Sequence, residues 1–290
     1  MTQEAVRVAA VVVLYRPGPD VIDNIRSWLG QVERAFIVDN TEGDNLALVA
    51  PLLEEGRADY LPSRANLGVA KGLNIGAGHA IAAGYRYLLT MDQDSEAVPG
   101  MVSELLTGFE QEGVQVGMVV PFLLTRPGQS APNVPGFRSL LTAMTSGSLL
   151  DLAAYRAAGP YRDDFFIDFI DNEYCLRLVS RGYSVVQASR AVLKHTVGQR
   201  VSFVVSGQRL GVTTHPPVRK YYKTRNRCVV WDLYGTDFPA YCWRDRFRFI
   251  LELVRLIALE PDKISKIRMV FKGWMDYRRG VMGAFKEIVP

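Results

Sequence analysis

The chain has 290 residues, of which 48% are hydrophobic and 22% charged, an ordinary globular composition that excludes extended disorder. Its three cysteines are far apart, which argues against a disulfide framework or a cysteine zinc site and favours a reducing compartment. Residues 209–290 carry 17 Lys/Arg and 8 Asp/Glu, which indicates an anionic partner: a membrane surface, nucleic acid or a phosphorylated substrate.

The first 95 residues alternate between apolar strands and helices. Strands are predicted at 8–14, 35–39, 58–61 and 87–91, and helices at 20–29, 45–55 and 67–85. This alternation predicts a mostly parallel α/β sheet flanked by helices, in which ligands bind at the carboxyl ends of the strands. Asp39 and Asp92 both fall at that edge. There, Asp39 can accept hydrogen bonds from a nucleotide base or ribose, or it can simply form the turn.

The remainder of the chain mixes both signals. Helices are predicted at 98–111 and 169–181, strands at 116–124, 184–188 and 191–194, and a loop at 125–136. After Gly211 the sequence becomes helical, basic and aromatic.

Two carboxylates, Asp92 and Asp94, are separated by one residue where the fourth strand ends. Carboxylates this close repel each other unless a cation or strong donors share them, and a divalent ion held there can also hold a diphosphate. The alternative is an Asx turn that closes the strand. His195 follows a later strand and can complete a metal site begun by Asp94, although a single histidine can equally be structural.

Glycines mark the segment 66–74, which opens the third helix with the sequence NLGVAKGLN. They allow a ligand to approach the backbone at an anion-favouring helix N-terminus, or they allow the helix to pack tightly on the sheet. The loop after the first strand, 16–19, is RPGP rather than GxGxxG, which argues against an NAD-dependent enzyme.

The block 165–177, FFIDFIDNEYCLR, places three acids among apolar residues. Asp171 can act there as a general base, with Asp168 as the alternative, while Glu173 and Arg177 have the spacing of a surface ion pair. The basic and aromatic segment 220–227 can neutralise a diphosphate, can track RNA, or can be a solvated charged face.

Taken together, these segments resemble a family 2 glycosyltransferase of the GT-A fold, and most resemble the bacterial rhamnosyltransferases that use dTDP-L-rhamnose. The resemblance runs from about residue 8 to residue 226 and follows the family's order. Its parts are VDN at 38–40, which contains Asp39, NLGVAKGLN at 66–74, MDQDS at 91–95, the SGS turn at 146–148, the 165–177 block, His195 with Gly198, and YYKTRN at 221–226.

The resemblance implies a role for each candidate residue. Asp39 would hold the base or ribose, Asp92 would contact the nucleotide sugar, and Asp94 with His195 would bind Mg²⁺ or Mn²⁺. Asp171 would be the catalytic base, although Ile170 stands where many relatives carry a second acid. The remaining substrate-binding residues would be Arg64, Asn66, Gly68, Arg225 and Asn226.

The implied protein is an inverting, metal-dependent enzyme with a GT-A catalytic domain at 1–210, divided at residue 95 into nucleotide and acceptor halves, and a helical segment at 211–290. It would transfer L-rhamnose to a cell-surface glycan or lipid-linked acceptor, in the bacterial cytoplasm or at the inner membrane face. The alternatives are a UDP-sugar donor and a sugar-phosphate nucleotidyltransferase. A nucleic-acid-binding module would leave the acids unexplained, so no nucleic acid partner is expected.

The C-terminal helices carry apolar stripes. Phe247, Ile250 and Val254 lie on one such stripe, with arginines beyond it. Neither helix is apolar enough to span a bilayer, but a basic amphipathic helix can lie on an anionic membrane. The alternative is that the stripes pack on the catalytic domain or in a homodimer.

Overall fold

The structure is a computed structural model. It describes residues 7–125, 128–132, 136–195, 199–205, 208–214 and 216–286, with only the backbone described for 199–205 and 208–214. The chain forms two compact units, the first comprising residues 1–163 and 171–196 and the second residues 164–170 and 197–290. The proposed boundary at residue 210, and the division of the catalytic domain at residue 95, remain predictions.

The first unit is built on one sheet. Its strands are β1 (Val8–Leu14), β2 (Arg34–Asp39), β3 (Ala58–Pro62), β4 (Tyr87–Asp92), β5 (Ser95–Ala97), β6 (Val116–Leu124), β7 (Phe137–Leu140), β8 (Ser148–Asp151) and β9 (Ser184–His195). The helices are α1 (Val21–Leu29), α2 (Leu46–Glu54), α3 (Val69–Ala82), α4 (Met101–Leu106), α5 (Leu152–Ala158) and α6 (Ile170–Ser180).

The sheet is parallel in its first half and mixed beyond it. The strand order is β3-β2-β1-β4-β8-β6-β9-β5, and β7 pairs with β9. The pairs β3–β2, β2–β1 and β1–β4 are parallel, as the alternating sequence predicts, whereas β8 runs antiparallel to both β4 and β6. Strand β8 has no counterpart among the predicted strands because its four residues, SLLD, are too few to show a period.

Close packing explains the small residues of α3. A Cβ atom on Gly76 would lie 2.1 Å from a methyl carbon of Val11 on β1, and one on Gly72 would lie 2.7 Å from a methyl of Val13. These glycines therefore allow α3 to press against the sheet. Of the two interpretations of the 66–74 glycines, the structure confirms tight packing for Gly72.

Two predicted elements differ from the structure. The strands expected at 184–188 and 191–194 are one continuous strand, β9, because a register shift between Pro121 and Phe122 of β6 absorbs the intervening polar residues. The helical region expected after Gly211 begins only at Pro217, since residues 208–214 form a strand.

The second unit contains a two-stranded antiparallel sheet, β10 (Gln199–Val205) with β11 (Gln208–Thr214), and three helices. The helices are α7 (Pro217–Tyr234), α8 (Pro239–Leu259) and α9 (Lys263–Arg278). Gly273 lets α9 approach α7 closely, because a Cβ there would lie 2.4 Å from the carbonyl oxygen of Tyr221. Across the described ranges, no helix is both long and apolar enough to cross a bilayer.

Candidate active site

Asp39 lies at the carboxyl end of β2 with no exposed surface. Its Oδ2 accepts hydrogen bonds from Tyr60 Oη at 2.6 Å and Asn45 Nδ2 at 2.8 Å, and its Oδ1 accepts from the backbone N–H of Thr41 at 3.0 Å. Burial alone would raise the pKa of Asp39, but these hydrogen bonds outweigh it and lower the pKa. Asp39 thus organises its own turn as a carboxylate.

Register places Asp39 and Asp92 at one edge of the sheet. β1 lies between β2 and β4, with Leu14 opposite Asp39 and Val13 opposite Asp92. The two aspartates therefore flank the end of β1 on either side. This is the edge at which ligands of parallel α/β sheets bind.

The loop before α3 contacts the Asp39 turn. Asn66 Oδ1 accepts the backbone N–H of Gly68 at 3.1 Å, and the carbonyl of Gly68 accepts from Asn40 Nδ2 at 2.8 Å. Gly68 has φ of +84°, a conformation that favours glycine. Arg64, also at positive φ, is exposed. Their substrate-binding roles stay predictions.

The turn between Asp92 and Asp94 is held by the intervening residue, Gln93. Its side-chain Oε1 accepts the backbone N–H of Tyr15 at 2.8 Å, and its carbonyl accepts from Asn24 Nδ2 at 3.0 Å. These bonds tie the turn to the end of β1 and to α1. Gln93 therefore fixes where the two carboxylates stand, a role that its place in the MDQDS motif did not reveal.

A chain of hydrogen bonds joins this turn to His195. The backbone N–H of Asp92 donates to Ser146 Oγ at 3.1 Å, Ser146 Oγ and Ser95 Oγ lie 2.8 Å apart, and Ser95 Oγ lies 2.7 Å from His195 Nδ1. Pairing of β5 with β9 sets Ser95 opposite His195. The sheet thus brings together residues separated by a hundred positions in the sequence.

Asp92, Asp94 and His195 form a group whose ligand atoms all lie within 4.8 Å of one another. Two carboxylates and one imidazole suit a divalent cation such as Mn²⁺ or Mg²⁺, for which carboxylate oxygens are the preferred ligands. Buried Ser95 bonds the histidine ring and is in turn bonded to buried Ser146, so the ring is held as metal ligands are held by their outer partners. The donor set therefore fits the predicted cation.

Asp171 lies in the first turn of α6 and is half-buried. Its Oδ1 accepts the backbone N–H of Asn172 at 2.9 Å, and a helix N-terminus favours negative charge. Cys175, one turn later on the same face, has its thiol 3.7 Å from the carbonyl oxygen of Ala143. Asp171 is outside the Asp92, Asp94 and His195 group.

Ala143 and Ser146 line the same cavity of about 240 Å³. The other lining residues are Val120, Pro121, Leu123, Leu140, Met144 and Gln187. Ser146 connects the cavity to the Asp92 turn, and the Ala143 carbonyl connects it to the face of α6 that carries Asp171. Asp92, Asp94, His195 and Asp171 are not among its lining residues, so the cavity lies beside the candidate residues and does not contain them.

The ion pair of Glu173 and Arg177 is buried rather than on the surface. Arg177 Nη2 lies 2.6 Å from Glu173 Oε2, and Arg177 Nη1 donates to the carbonyls of Ala158 and Pro160. The glutamate side chain is almost fully covered. The spacing predicted the pair correctly, but its position in the core is a finding of the structure.

Asp168, the alternative base, is occupied by a salt bridge. Both its carboxylate oxygens accept from Arg219, Oδ2 from Nε at 2.6 Å and Oδ1 from Nη2 at 2.7 Å. A bidentate pair of this kind engages both carboxylate oxygens with the guanidinium, away from an acceptor hydroxyl. The salt bridge therefore argues against Asp168, and Asp171 stays the predicted base.

Arg225 and Asn226 lie in the second unit with no exposed surface. Asn226 Nδ2 is within 2.8–2.9 Å of the carbonyl oxygens of Phe165, Ile167 and Asp168. Arg225 donates to the carbonyls of Asp164, Phe165 and Gly283. Their donors are directed to the backbone, and their predicted role, in which they would meet the diphosphate or close over the site, stays a prediction.

The carbonyls held by Asn226 belong to a segment with unusual backbone conformation. Phe166, Asp168 and Phe169 all have φ between +63° and +65°. Non-glycine residues adopt this region at a cost of about 1–3 kcal/mol each, so surrounding contacts must impose it. Arg219, Arg225 and Asn226 supply such contacts. Gly198, named with His195 in the sequence motif, lies outside the described residues.

Comparison with known proteins agrees with this geometry. The sequence model of glycosyl transferase family 2 matches residues 10–150, which include β1 to β4 and the Asp92 turn. The dTDP-rhamnosyl transferase RfbF of Shigella flexneri is 23% identical over 295 residues, covering 94% of this chain and 96% of that protein.

Two solved structures share the fold. S. aureus TarS 1-349 has a TM-score of 0.62 at 10% identity, over 93% of this chain and 80% of that chain. GalNAc-T7, solved with UDP, GalNAc and Mn²⁺, has a TM-score of 0.61 at 11% identity, over 95% of this chain and 56% of that chain. The mixed sheet with flanking helices is the GT-A fold, which confirms the predicted fold class.

Proposed function

Because this chain is a glycosyltransferase whose residues 10–150 form a family 2 domain, we propose that it transfers L-rhamnose from dTDP-L-rhamnose to the hydroxyl of a saccharide acceptor. The observation that carries the proposal is the grouping of Asp92, Asp94 and His195 at the ligand-binding edge of the sheet. The family match also favours glycosyl transfer over the nucleotidyltransferase alternative.

The donor is proposed from the Shigella relative, whose name specifies a dTDP-rhamnosyl donor and which matches this chain over nearly its whole length. A UDP-sugar is the second candidate, because S. aureus TarS 1-349 was solved with UDP-GlcNAc and shares the fold. Both donors present a nucleotide diphosphate, so the same acidic edge of the sheet would serve either.

Asp92, Asp94 and His195 would hold Mn²⁺ or Mg²⁺. When bound, the cation supplies positive charge that stabilises a departing diphosphate. The chain's own part is positional: Gln93 fixes the turn, and Ser95 and Ser146 fix the imidazole. Asp39, held ionised by its turn, would face the base or ribose of the nucleotide.

Asp171 would take the proton from the acceptor hydroxyl while that oxygen attacks the anomeric carbon. Attack opposite the leaving diphosphate inverts the configuration at that carbon. Asp171 lies in the first turn of α6, where the partial positive charge of the helix N-terminus favours a negatively charged group. The cavity beside Ser146 is the space that we propose for the reacting sugars.

Arg225 and Asn226 are proposed as positioning residues rather than direct ligands of the diphosphate. Their donors hold residues 164–168, and α6 with Asp171 begins only two residues later in the sequence. The acceptor is proposed to be a cell-surface glycan or its lipid-linked precursor, and the site of action the bacterial cytoplasm or the inner membrane face.

The donor can be tested by calorimetry with dTDP, UDP and GDP, each with Mn²⁺, followed by turnover with dTDP-L-rhamnose and UDP-GlcNAc. We expect dTDP to bind at least tenfold more tightly than UDP and only the rhamnosyl donor to be consumed. Tighter binding of UDP, or turnover of UDP-GlcNAc alone, would select the second candidate. Asp94→Asn serves as the control and should lose Mn²⁺-dependent binding of either nucleotide.

A further inference from the structure

Helix α8 turns its apolar stripe outward. Six large hydrophobic residues on one helical face are 51–69% exposed. They are Trp243, Phe247, Ile250, Leu251, Val254 and Ile257, spaced three or four residues apart over four turns. Single exposed hydrophobics are normal on proteins, but a contiguous face of this kind marks an interaction surface.

Helix α9 also exposes an apolar face. Ile264 is 82% exposed, and Ile267, Phe271 and Trp274 continue its face at three- and four-residue intervals. Trp and Phe are the side chains that interfacial helices use on their apolar side. These faces of both helices are therefore left uncovered by the described residues.

The inward sides of the same helices carry charge. Asp245 of α8 lies 3.0 Å from Arg227, Lys266 of α9 lies 2.9 Å from Glu260, and Asp276 accepts from Tyr221 Oη at 2.8 Å. These partners are buried. Neither helix can rotate its apolar face inward without breaking these pairs, which would leave buried charges uncompensated.

Exposed cations border the apolar faces. On α8 they are Arg244, Arg248 and Arg255, and on α9 they are Lys263, Arg268 and Arg278. No carboxylate in the described part of the chain forms an ion pair with any of the six. The exposed acid of α8, Glu252, is paired with Arg227. The outward surface of both helices is therefore apolar and positively charged.

We propose that these faces of α8 and α9, the docking surface, bind an anionic lipid bilayer. Apolar side chains enter the headgroup–acyl boundary while the arginines and lysines contact the lipid phosphates. A second copy of the chain fits less well, because pairing two such faces would oppose cations with cations. The proposal goes beyond glycosyl transfer and does not depend on the donor.

The test measures binding of the full chain to vesicles of phosphatidylcholine alone and of phosphatidylcholine with phosphatidylglycerol in equal parts. We expect strong binding to the anionic vesicles and weak binding to the neutral ones. A variant with Arg244, Arg248 and Arg255 changed to Gln should bind the anionic vesicles about 100-fold less, since each cation near such a surface contributes about fivefold. Its matched control changes the exposed Arg57, Arg86 and Arg156 of the first unit to Gln and should bind normally.

The apolar contribution is tested with the double variant Phe247→Glu and Val254→Glu, which should abolish vesicle binding. The control is Leu233→Glu, which changes an exposed leucine of α7 outside the docking surface and should bind normally. Circular dichroism establishes that each variant is folded. Absence of vesicle binding by the wild type would overturn the proposal. The alternative partner, a second copy of the chain, is tested by light scattering without lipid. It would be indicated by a wild-type dimer that Phe247→Glu dissociates, together with no vesicle binding by either protein. Donor turnover in solution is measured separately, so failure here leaves the proposed function intact.

Discussion

The two units of this protein place charge and apolar surface in opposite ways. In the first unit α1 buries its apolar face through Val21, Ile25 and Trp28, and the carboxylates gather at the strand ends. In the second unit α8 and α9 bury paired charges and expose aromatic and aliphatic side chains. An amphipathic pattern therefore shows that one face differs from the other, but not which face is covered.

The largest effect is expected where the first unit uses charge for chemistry. Asp171→Asn should lower turnover by about 10²–10⁴-fold, because base catalysis is lost, while donor binding and melting temperature stay unchanged. Steady-state kinetics and calorimetry with the donor nucleotide measure both. Asp23→Asn, an exposed acid in the first turn of α1, is the matched control. Normal turnover by Asp171→Asn would remove it as the base.

The contrast between the buried apolar face of α1 and the exposed apolar face of α8 is tested by changing one isoleucine to alanine in each helix. Ile25→Ala in α1 should destabilise the protein by about 2–5 kcal/mol, because it opens a cavity in the core. Ile250→Ala in α8, where the side chain is more than half exposed, should change stability by less than about 0.5 kcal/mol. Urea denaturation compares the two, and equal losses would show that α8 is covered.

Buried polar groups should matter most to the stability of the second unit. Asn226→Ala removes the side-chain donor of the carbonyl oxygens of residues 165, 167 and 168, of which only that of residue 165 keeps a bond from Arg225, and we expect a loss of about 3 kcal/mol. Kinetics then separate positioning from direct contact. A lower kcat with an unchanged KM for the donor would support a positioning role for Asn226. An unchanged urea midpoint with a raised KM would instead support direct contact between Asn226 and the diphosphate.

A smaller effect is expected from the serines behind His195. Ser95→Ala removes the hydrogen bond to Nδ1 and should weaken Mn²⁺ binding by about tenfold, as loss of an outer partner of a metal ligand does. Calorimetry without substrate gives the affinity, and the ¹⁵N spectrum of the imidazole reports its tautomer. Ser103→Ala, at an exposed serine of α4, is the control. Unaltered Mn²⁺ affinity and tautomer would show that Ser95 does not orient the ring.

The smallest effect concerns acid stability. Because the pKa of Asp39 is lowered in the folded state, its contribution is present above the unfolded pKa of about 3.9 and is lost as the pH falls through the folded value. Asp39→Asn should therefore be less stable at neutral pH and should lose less stability on acidification below about pH 4. If the stability of the wild type and of Asp39→Asn fell equally with pH below about pH 4, the turn would not depend on the carboxylate.

The position of much of the site could be predicted from the sequence, because its residues lie at the ends of predicted strands. Asp39 and Asp92 follow apolar runs, so their common edge follows from parallel pairing alone. Gln93, Ser95 and Ser146 lie within the MDQDS and SGS motifs, but their positioning roles could not be predicted, since amide and hydroxyl side chains are common in turns. Arg225 and Asn226 were selected for their chemistry, but a motif does not reveal whether a donor meets a ligand or the chain's own carbonyls.

The sequence by itself determined the alternation of strands and helices, the edge at which the acids stand, and the amphipathic period of the last helices, because these depend on local pattern. Only the tertiary structure decided that β5 sets Ser95 beside His195, that residues 164–168 are held by Arg225 and Asn226, and that α8 faces its hydrophobic residues outward. Such features depend on which distant surfaces meet, and a local period carries no information about the partner.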